Sequence, residues 1–315
     1  SSANLMVLTT DSTSTAGEPR LNFYDQSDIS FSNIYYIPSN FSTPDLSNND
    51  KQLFFSGTYS FMDSEQGEGI RTTLPFDDFG WNVDINDNNK IVVGAPFVGS
   101  TGAGKTYFYD FNNNSLIFDV SASKLSNGAR EGFSVSINNN NYVVAGLPGY
   151  NSEQGIIRIY SGNNFTTIQE INANDITVNN NRFGQAVDIN DNKLVSGASG
   201  REFTGITTCF VRLYEYNSSS GAGNEWSLQT TIQSPQYSSI DDAFGASVAL
   251  SDTLILVGAP NYNTSDVSGV VYVYDINNPS SVPDASFGTT SPITYSYFGA
   301  SVAATIYNDY NIIAI

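Results

Sequence analysis

Phe244-Gly245-Ala246-Ser247-Val248-Ala249-Leu250, Leu254-Ile255-Leu256-Val257-Gly258-Ala259-Pro260 and Gly269-Val270-Val271-Tyr272-Val273-Tyr274 follow one another with short connections. The first run alternates small, polar and apolar residues. The second is continuously apolar, and the third alternates valine with tyrosine. Period-two alternation and enrichment in β-branched and aromatic residues specify strands, and no 3.6-residue period competes with them. The first two runs are joined by Ser251-Asp252-Thr253, and the equivalent link elsewhere is Asn86-Asp87-Asn88-Asn89. Such residues tolerate positive φ and suit tight hairpins.

The same grammar recurs along the chain, and a recurrence at this spacing decides the fold. Phe79-Gly80 leads to Val93-Gly94-Ala95-Pro96, Gly132-Phe133 to Ala145-Gly146-Leu147-Pro148, and Phe183-Gly184 to Ser196-Gly197-Ala198. A further unit opens at Phe298-Gly299 and reaches Ile312-Ile313-Ala314-Ile315. A degenerate one runs from Phe41 to Gly57, and a partial one opens the chain with Leu5-Met6-Val7-Leu8 and Arg20 to Asp25. Each unit is read as strands a, b, c and d. The d strands are the weakest runs: Leu116 to Phe118, Thr166 to Ile171 and Trp226 to Ile232. Repeats start near 1, 41, 79, 133, 183, 244 and 298, so the expectation is an all-β, seven-bladed β-propeller of four-stranded antiparallel blades over residues 1–315. Radial closure leaves only short, protected edges. The terminal blade is incomplete, which fits one propeller domain of a longer protein. Phe79, Phe133, Phe183, Phe244 and Phe298 are expected to wedge between blades, each buried ring stabilising by roughly 2–3 kcal/mol. Gly80, Gly184, Gly245 and Gly299 are expected to allow close backbone approach.

Phe244-Gly245 followed by Gly258-Ala259-Pro260 and the Val-Tyr strand resembles the FG-GAP repeat, and the resemblance extends over nearly the whole chain. That family forms the seven-bladed propeller of integrin α subunits and of many microbial surface proteins. The resemblance implies a non-enzymatic adhesion or recognition role. Integrin-type repeats often carry a longer a–b loop with an Asp-x-Asp-x-Asp-Gly calcium pattern. Here the nearest matches are Asp84-Ile85-Asn86-Asp87-Asn88 and Asp188-Ile189-Asn190-Asp191-Asn192, without the glycine and with Lys90 and Lys193 close behind. A calcium site needs about six to eight oxygens. Asp84 and Asp188 are therefore weak metal candidates, no cofactor is expected, and an Asx-rich hairpin turn is the expected reading. The short-loop microbial variant is the better fit.

Composition narrows the function classes. The 315 residues carry 31 acidic and 12 basic side chains, a formal charge of −19, so a nucleic-acid or anionic-membrane surface is not expected. There is no histidine and one cysteine, Cys209. That removes His-based triads, His-ligated metals and internal disulfides. No apolar run approaches the roughly 20 residues of a membrane span. Asn-x-Ser/Thr sequons at Asn40, Asn113, Asn164, Asn217 and Asn263 occur about as often as chance allows, so they carry no localisation signal.

Gly99-Ser100-Thr101-Gly102-Ala103-Gly104-Lys105-Thr106 satisfies the phosphate-loop pattern, but a phosphate cradle needs a helix next. The following Tyr107-Phe108-Tyr109 is a strand. Cys209 beside Phe210 reads as a small buried hydrophobe. The pairs Asp77-Asp78 and Asp241-Asp242 precede Phe-Gly and read as turn residues rather than paired catalytic carboxylates.

Antiparallel order puts the b–c and d–a connections on one face and the a–b and c–d turns on the other. The b–c loops are the longer and more varied, and loops on a rigid scaffold are where binding resides. They carry the ligand-contact candidates Tyr59, Phe61, Asp63, Phe97, Tyr150, Glu153, Phe203, Tyr262 and Asp266, with Glu65, Glu68 and Glu202 nearby. Aromatics flanked by polar groups suit protein or glycan contact. The expected protein is an extracellular or particle-surface recognition module. The alternative is a structural subunit of an appendage, filament or virion, with neighbouring subunits joined by strand or blade complementation.

Overall fold

Strands pair with their chain neighbours throughout, all antiparallel, in simple meanders. The computed structural model describes residues 6–9, 20–25, 28–36, 78–88, 90–99, 101–110, 115–121, 127–161, 166–173, 175, 180–200, 209–235, 242–260, 269–280, 282–288, 297–307 and 310–315. The chain divides into two compact units, Ser1–Leu53 with Ser60–Ile70, and Phe54–Tyr59 with Arg71–Ile315. In the first, β1 (Met6–Thr9), β2 (Arg20–Asp25) and β3 (Asp28–Tyr36) form a three-stranded sheet in that order.

The second unit carries four full sheets. Sheet I contains β4 (Asn82–Ile85), β5 (Lys90–Ala95), β6 (Lys105–Asp110) and β7 (Ser115–Ser121). Sheet II contains β8 (Ser134–Ile137), β9 (Val143–Leu147), β10 (Ile156–Tyr160) and β11 (Thr167–Asn172). Sheet III contains β12 (Ala186–Ile189), β13 (Lys193–Ala198), β14 (Phe210–Tyr216) and β15 (Trp226–Gln233). Sheet IV contains β16 (Ser247–Leu250), β17 (Leu254–Ala259), β18 (Val270–Asp275) and β19 (Ala285–Gly288). A hairpin of β20 (Ala303–Tyr307) and β21 (Tyr310–Ala314) follows. These are the expected a, b, c and d strands, in blade-like sheets.

Burial explains why the b strands read as unbroken apolar runs. Sheets pack face to face, so Ile91, Val92 and Val93 of β5 and Ile255, Leu256 and Val257 of β17 are all buried, on both faces of their strands. The outer strand β19 is exposed at all four positions, and the d strands are accordingly the weakest runs in the sequence.

The wedge position lies against its own c strand. Phe79 meets Tyr107 edge-on at 5.1 Å, Phe183 stacks on Phe210 at 6.1 Å with the Arg212 guanidinium 5.9 Å above it, and Phe244 meets Tyr272 at 5.7 Å. Phe183 and Phe244 are fully buried in clusters drawn from two successive sheets each. Phe298 is half-buried, since its β20–β21 sheet offers no c strand among the described residues. The expectation for Phe133 needs correction. Gly132, with φ 79°, is the counterpart of Gly80, Gly184 and Gly245, so the residue in the wedge slot is Glu131. Phe133 lies two residues further on and half-exposed. Glu131 is completely buried, and it has a matched partner: the c-strand position that is Tyr107 in sheet I and Tyr272 in sheet IV is Arg158 here, 3.0 Å from its carboxylate. Tyr160 donates its hydroxyl to the same carboxylate.

Between sheets the closest approach is backbone on backbone. A Cβ on Gly94 would overlap the Gly132 carbonyl, and Gly146, Gly197 and Gly258 stand in the same relation to the carbonyls of Gly184, Gly245 and Gly299. The glycine of Val-Gly-Ala-Pro in one sheet thus seats against the glycine of Phe-Gly in the next. Ser134 and Ser247 donate their hydroxyls to the Gly184 and Gly299 carbonyls at 2.9 and 2.7 Å, locking the contact.

Gly146→Ala is expected to destabilise by about 3 kcal/mol or more in chemical denaturation, because backbone cannot move aside as a side chain can. Gly102→Ala has open space around it and only its φ of 63° to strain, and should cost about 1 kcal/mol. Glu131→Ala strands Arg158 beside a buried hole and should cost about 3 kcal/mol, whereas Glu131→Phe with Arg158→Tyr restores the pairing of the other sheets and should recover most of that loss.

Candidate functional site

Each a strand is entered through one recurring turn. The residue two before its glycine is left-handed: Asp78, Arg130, Arg182, Ala243 and Tyr297 have φ of 50°, 61°, 55°, 54° and 47°. Its carbonyl accepts the N–H of the residue after the glycine, at 3.0 Å for Trp81 and Gln185 and 3.1 Å for Phe133. A non-glycine residue pays roughly 1–2 kcal/mol for this conformation. The b–c loop supports the turn. Arg130 and Glu131 donate their N–H groups to the Gly102 and Ala103 carbonyls, and Arg182 and Phe183 to those of Glu153 and Gln154.

These turns assemble a rim of rings and guanidinium groups on the b–c/d–a face. Trp81 is 45% exposed, lies edge-on to Phe97 at 5.8 Å and tilts against Phe133 at 5.4 Å. Arg130 lies 5.9 Å over Phe97, and Arg182 lies 5.9 Å over Phe133. Glu153 approaches Arg130 at 4.0 Å. Of the sequence candidates, Phe97 and Glu153 thus join the rim. Tyr150 packs half-buried on Ala129, Leu147 and Ile156. It opens a turn whose next three residues, Asn151, Ser152 and Glu153, all have positive φ. Tyr59, Phe61, Asp63, Phe203, Tyr262 and Asp266 lie outside the described residues, as do Glu65, Glu68 and Glu202. Sequence reading missed Trp81, Arg130 and Arg182 and gave Phe133 another role. The available signal was their fixed offset from the glycine, one residue after it or two before.

The remaining motifs have structural employment. In the run Gly99 to Thr106, the carbonyls of Gly102 and Ala103 bind the neighbouring turn, Lys105 opens a strand, and its ammonium lies 5.7 Å from the Tyr107 ring. The Cys209 thiol is buried and donates to the Ser199 carbonyl at 3.1 Å. Asp242 is buried, accepts the Phe244 N–H at 3.0 Å and the Ser234 hydroxyl at 2.5 Å, and its carboxyl is pushed up by burial. Asp241 is outside the described residues.

Asp84 and Asp188 correct the loop reading. Both lie inside a strands, β4 and β12, which run side by side with β8 and β16. The Asp84 carboxylate accepts the N–H groups of Ile85 and Ile137, each at 2.8 Å. Asp188 accepts those of Ile189 at 2.9 Å and Leu250 at 2.7 Å. The single hydroxyl of Ser136 lies 2.9 Å from both carboxylates. Their oxygens are thereby committed to protein donors rather than arranged for a cation, and no group of three or more acidic or cysteine side chains fit for a metal occurs among the described residues. The Asx-rich turns gain a second role. Asn86 donates to the Asn138 carbonyl at 2.9 Å, Asn138 to that of Asn190 at 3.0 Å, and Asn190 to that of Ser251 at 3.4 Å. Each side-chain oxygen meanwhile caps its own turn, accepting from Lys90, Tyr142 and Lys193.

One hydroxyl proton cannot serve two carboxylates. Burial, against the opposing hydrogen bonds and with Asp188 nearby, raises Asp84 from 3.8 to about 6, and burial raises Asp188 as well. The folded state then binds more protons than the unfolded one between about pH 4 and 6, so stability declines as pH rises through that window. Thermal melts should show a higher Tm at pH 5 than at pH 7, with the slope reduced in Asp84→Asn, which keeps one acceptor oxygen and sheds the charge.

The sequence model of the FG-GAP repeat matches residues 226–274. That span takes in the outer strand of sheet III and the first three strands of sheet IV. No curated protein matches the chain by sequence. Among solved structures, hydrazine synthase of Kuenenia stuttgartiensis is similar over 71% of this chain and 52% of its own, at 11% identity and a TM-score of 0.45. The chain spans about half the length of that structure. No helix among the described residues is long and apolar enough to cross a membrane. Residues 226–274 thus match an FG-GAP repeat, and the glycines that this repeat places are the ones seated against each other from sheet to sheet.

Proposed function

We propose that the chain is a non-enzymatic recognition module of an extracellular or particle surface, its sheets closing into a seven-bladed propeller that binds protein or glycan through the b–c/d–a face. The observation that carries this reading is the rim: Trp81 stands open between Phe97 and Phe133, and Arg130 and Arg182 lie over the flanking rings. Such rings present large, rigid contact area at little entropic cost, and the supporting turns hold them in place before any partner arrives. By their place in the sequence, Tyr59, Phe61, Asp63, Phe203, Tyr262 and Asp266 fall on b–c connections and are proposed as further contacts. FG-GAP repeats, as interaction modules, fit this role, and the rings and guanidinium groups that make up the rim supply no nucleophile and base pair.

The second reading, assembly into an appendage, filament or virion by strand addition, draws on β21, which pairs only with β20 among the described residues. An open strand edge is a template for a neighbour's strand.

Binding of the labelled chain to arrays of glycans and of surface proteins separates these readings. Trp81→Ala and Phe97→Ala are expected to abolish capture with an unchanged Tm. Asn217→Ala, at the exposed c–d turn of the opposite face, is expected to leave it intact. Concentration-dependent polymers in light scattering, with array capture indifferent to Trp81, would instead favour assembly.

A further inference from the structure

Building on the rim reading, we infer that the rim takes a neutral carbohydrate, an uncharged pyranose chain laid on Trp81. Three observations choose this ligand class. First, Trp81 is the open ring of the cluster, and its neighbours Phe97 and Phe133 meet it edge-on and tilted, so the surface offers ring area and ring edges for the C–H face of a sugar. Second, the local charges cancel. The turns and loops of the rim carry two arginines, Arg130 and Arg182, and two acidic residues, Glu153, 4.0 Å from Arg130, and Asp78, in the turn that holds the Trp81 N–H. Against a chain of net charge −19, this neutral patch has no field with which to gather a polyanion, and a cation would meet two arginines. Both donors and acceptors are nevertheless present at its margin, the combination that sugar hydroxyls, each donor and acceptor at once, require. Third, the main chain around the rim is already paired. The N–H groups of Arg130, Glu131, Arg182 and Phe183 are given to the b–c loop, so an extended peptide finds no strand edge there. Recognition is left to side chains.

The chain itself supplies the probe. It has two tryptophans, and Trp226 is 2% exposed, so a ligand-dependent change in indole emission reports on Trp81. Chitotetraose, cellotetraose and mannotetraose are titrated into the intact chain, beside tetragalacturonic acid and an acidic aromatic peptide (Asp-Phe-Asp-Phe). The expected result is a saturable emission change with at least one neutral tetrasaccharide and a weaker response to tetragalacturonic acid. Trp81→Ala should weaken the calorimetric Kd by about tenfold or more, about 1.4 kcal/mol. Trp81→Phe should keep the calorimetric binding and lose the emission change. Tighter binding of tetragalacturonic acid, or of the peptide, in a Trp81-dependent manner would overturn the neutral-sugar assignment while leaving the rim as the binding face. Sugar binding indifferent to Trp81→Ala would overturn the assignment and move the ligand elsewhere. Silence from every probe would overturn it too, and the protein arm of the array experiment would then judge the rim on its own.

Discussion

Sheets in this protein meet where two backbones touch. Gly94, Gly146, Gly197 and Gly258 each leave room for the carbonyl of a glycine in the following sheet, and any side chain there would occupy the space of that carbonyl. Because the partners are main-chain atoms, the spacing between sheets is fixed rather than adjustable. It positions everything else. The valines and isoleucines of one a strand reach the b and c strands of the sheet before, as Val135 and Ile137 do with Val92 and Phe108. The serine hydroxyls of Ser134 and Ser247 reach the glycine carbonyls, and the Asn86, Asn138 and Asn190 side chains link successive turns. A loose apolar contact would not hold the angstrom-scale register that this series of short hydrogen bonds needs.

Within that frame, the wedge slot tolerates different chemistry provided its partner changes too. Phenylalanine meets tyrosine in sheets I and IV, phenylalanine lies under arginine in sheet III, and glutamate meets arginine in sheet II. Burial pushes the Glu131 carboxyl upward, with Glu170 nearby adding to it, and Arg158 and Tyr160 oppose it. The arginine is held on its other side by Glu170 at 2.6 Å, so the charge has two partners rather than one. The slot therefore conserves volume and satisfaction of polar groups rather than hydrophobicity as such.

The rim follows from the same turns. A left-handed residue two before each glycine is needed to bring the chain back into an a strand, and the N–H groups beside it bind the b–c loop. The strained backbone is thus held from two sides, and the side chains it carries, Arg130 and Arg182, come to lie over aromatic rings rather than in solvent. A scaffold contact and a candidate binding surface share their geometry.

The repeat, its four-strand units and the hairpin turns were legible in the residues, because period-two patterning and turn chemistry are local properties; the a strands begin about three residues later than the alternation suggests, at Ser247 and not Phe244, because Phe-Gly forms the turn that enters them. The identity of Phe97 and Glu153 as surface candidates was legible for the same reason, since loop residues declare themselves by the strands on either side. The two-sided packing of the b strands could also be read from their unbroken apolar runs. Three things waited for the tertiary structure. Glu131 rather than Phe133 fills the wedge slot, since only the positive φ of Gly132 shows which residue is the counterpart of Phe244. Asp84 and Asp188 serve neighbouring strands and not a loop cation, because their donors Ile137 and Leu250 are distant in sequence. Trp81, Phe133, Arg130 and Arg182 become one surface only when successive sheets are set side by side, for each comes from a turn or strand start that gives no local sign of the others. Sequence determines what a segment is by the residues beside it; which distant groups meet is decided by the fixed distance at which glycine backbones let the sheets approach.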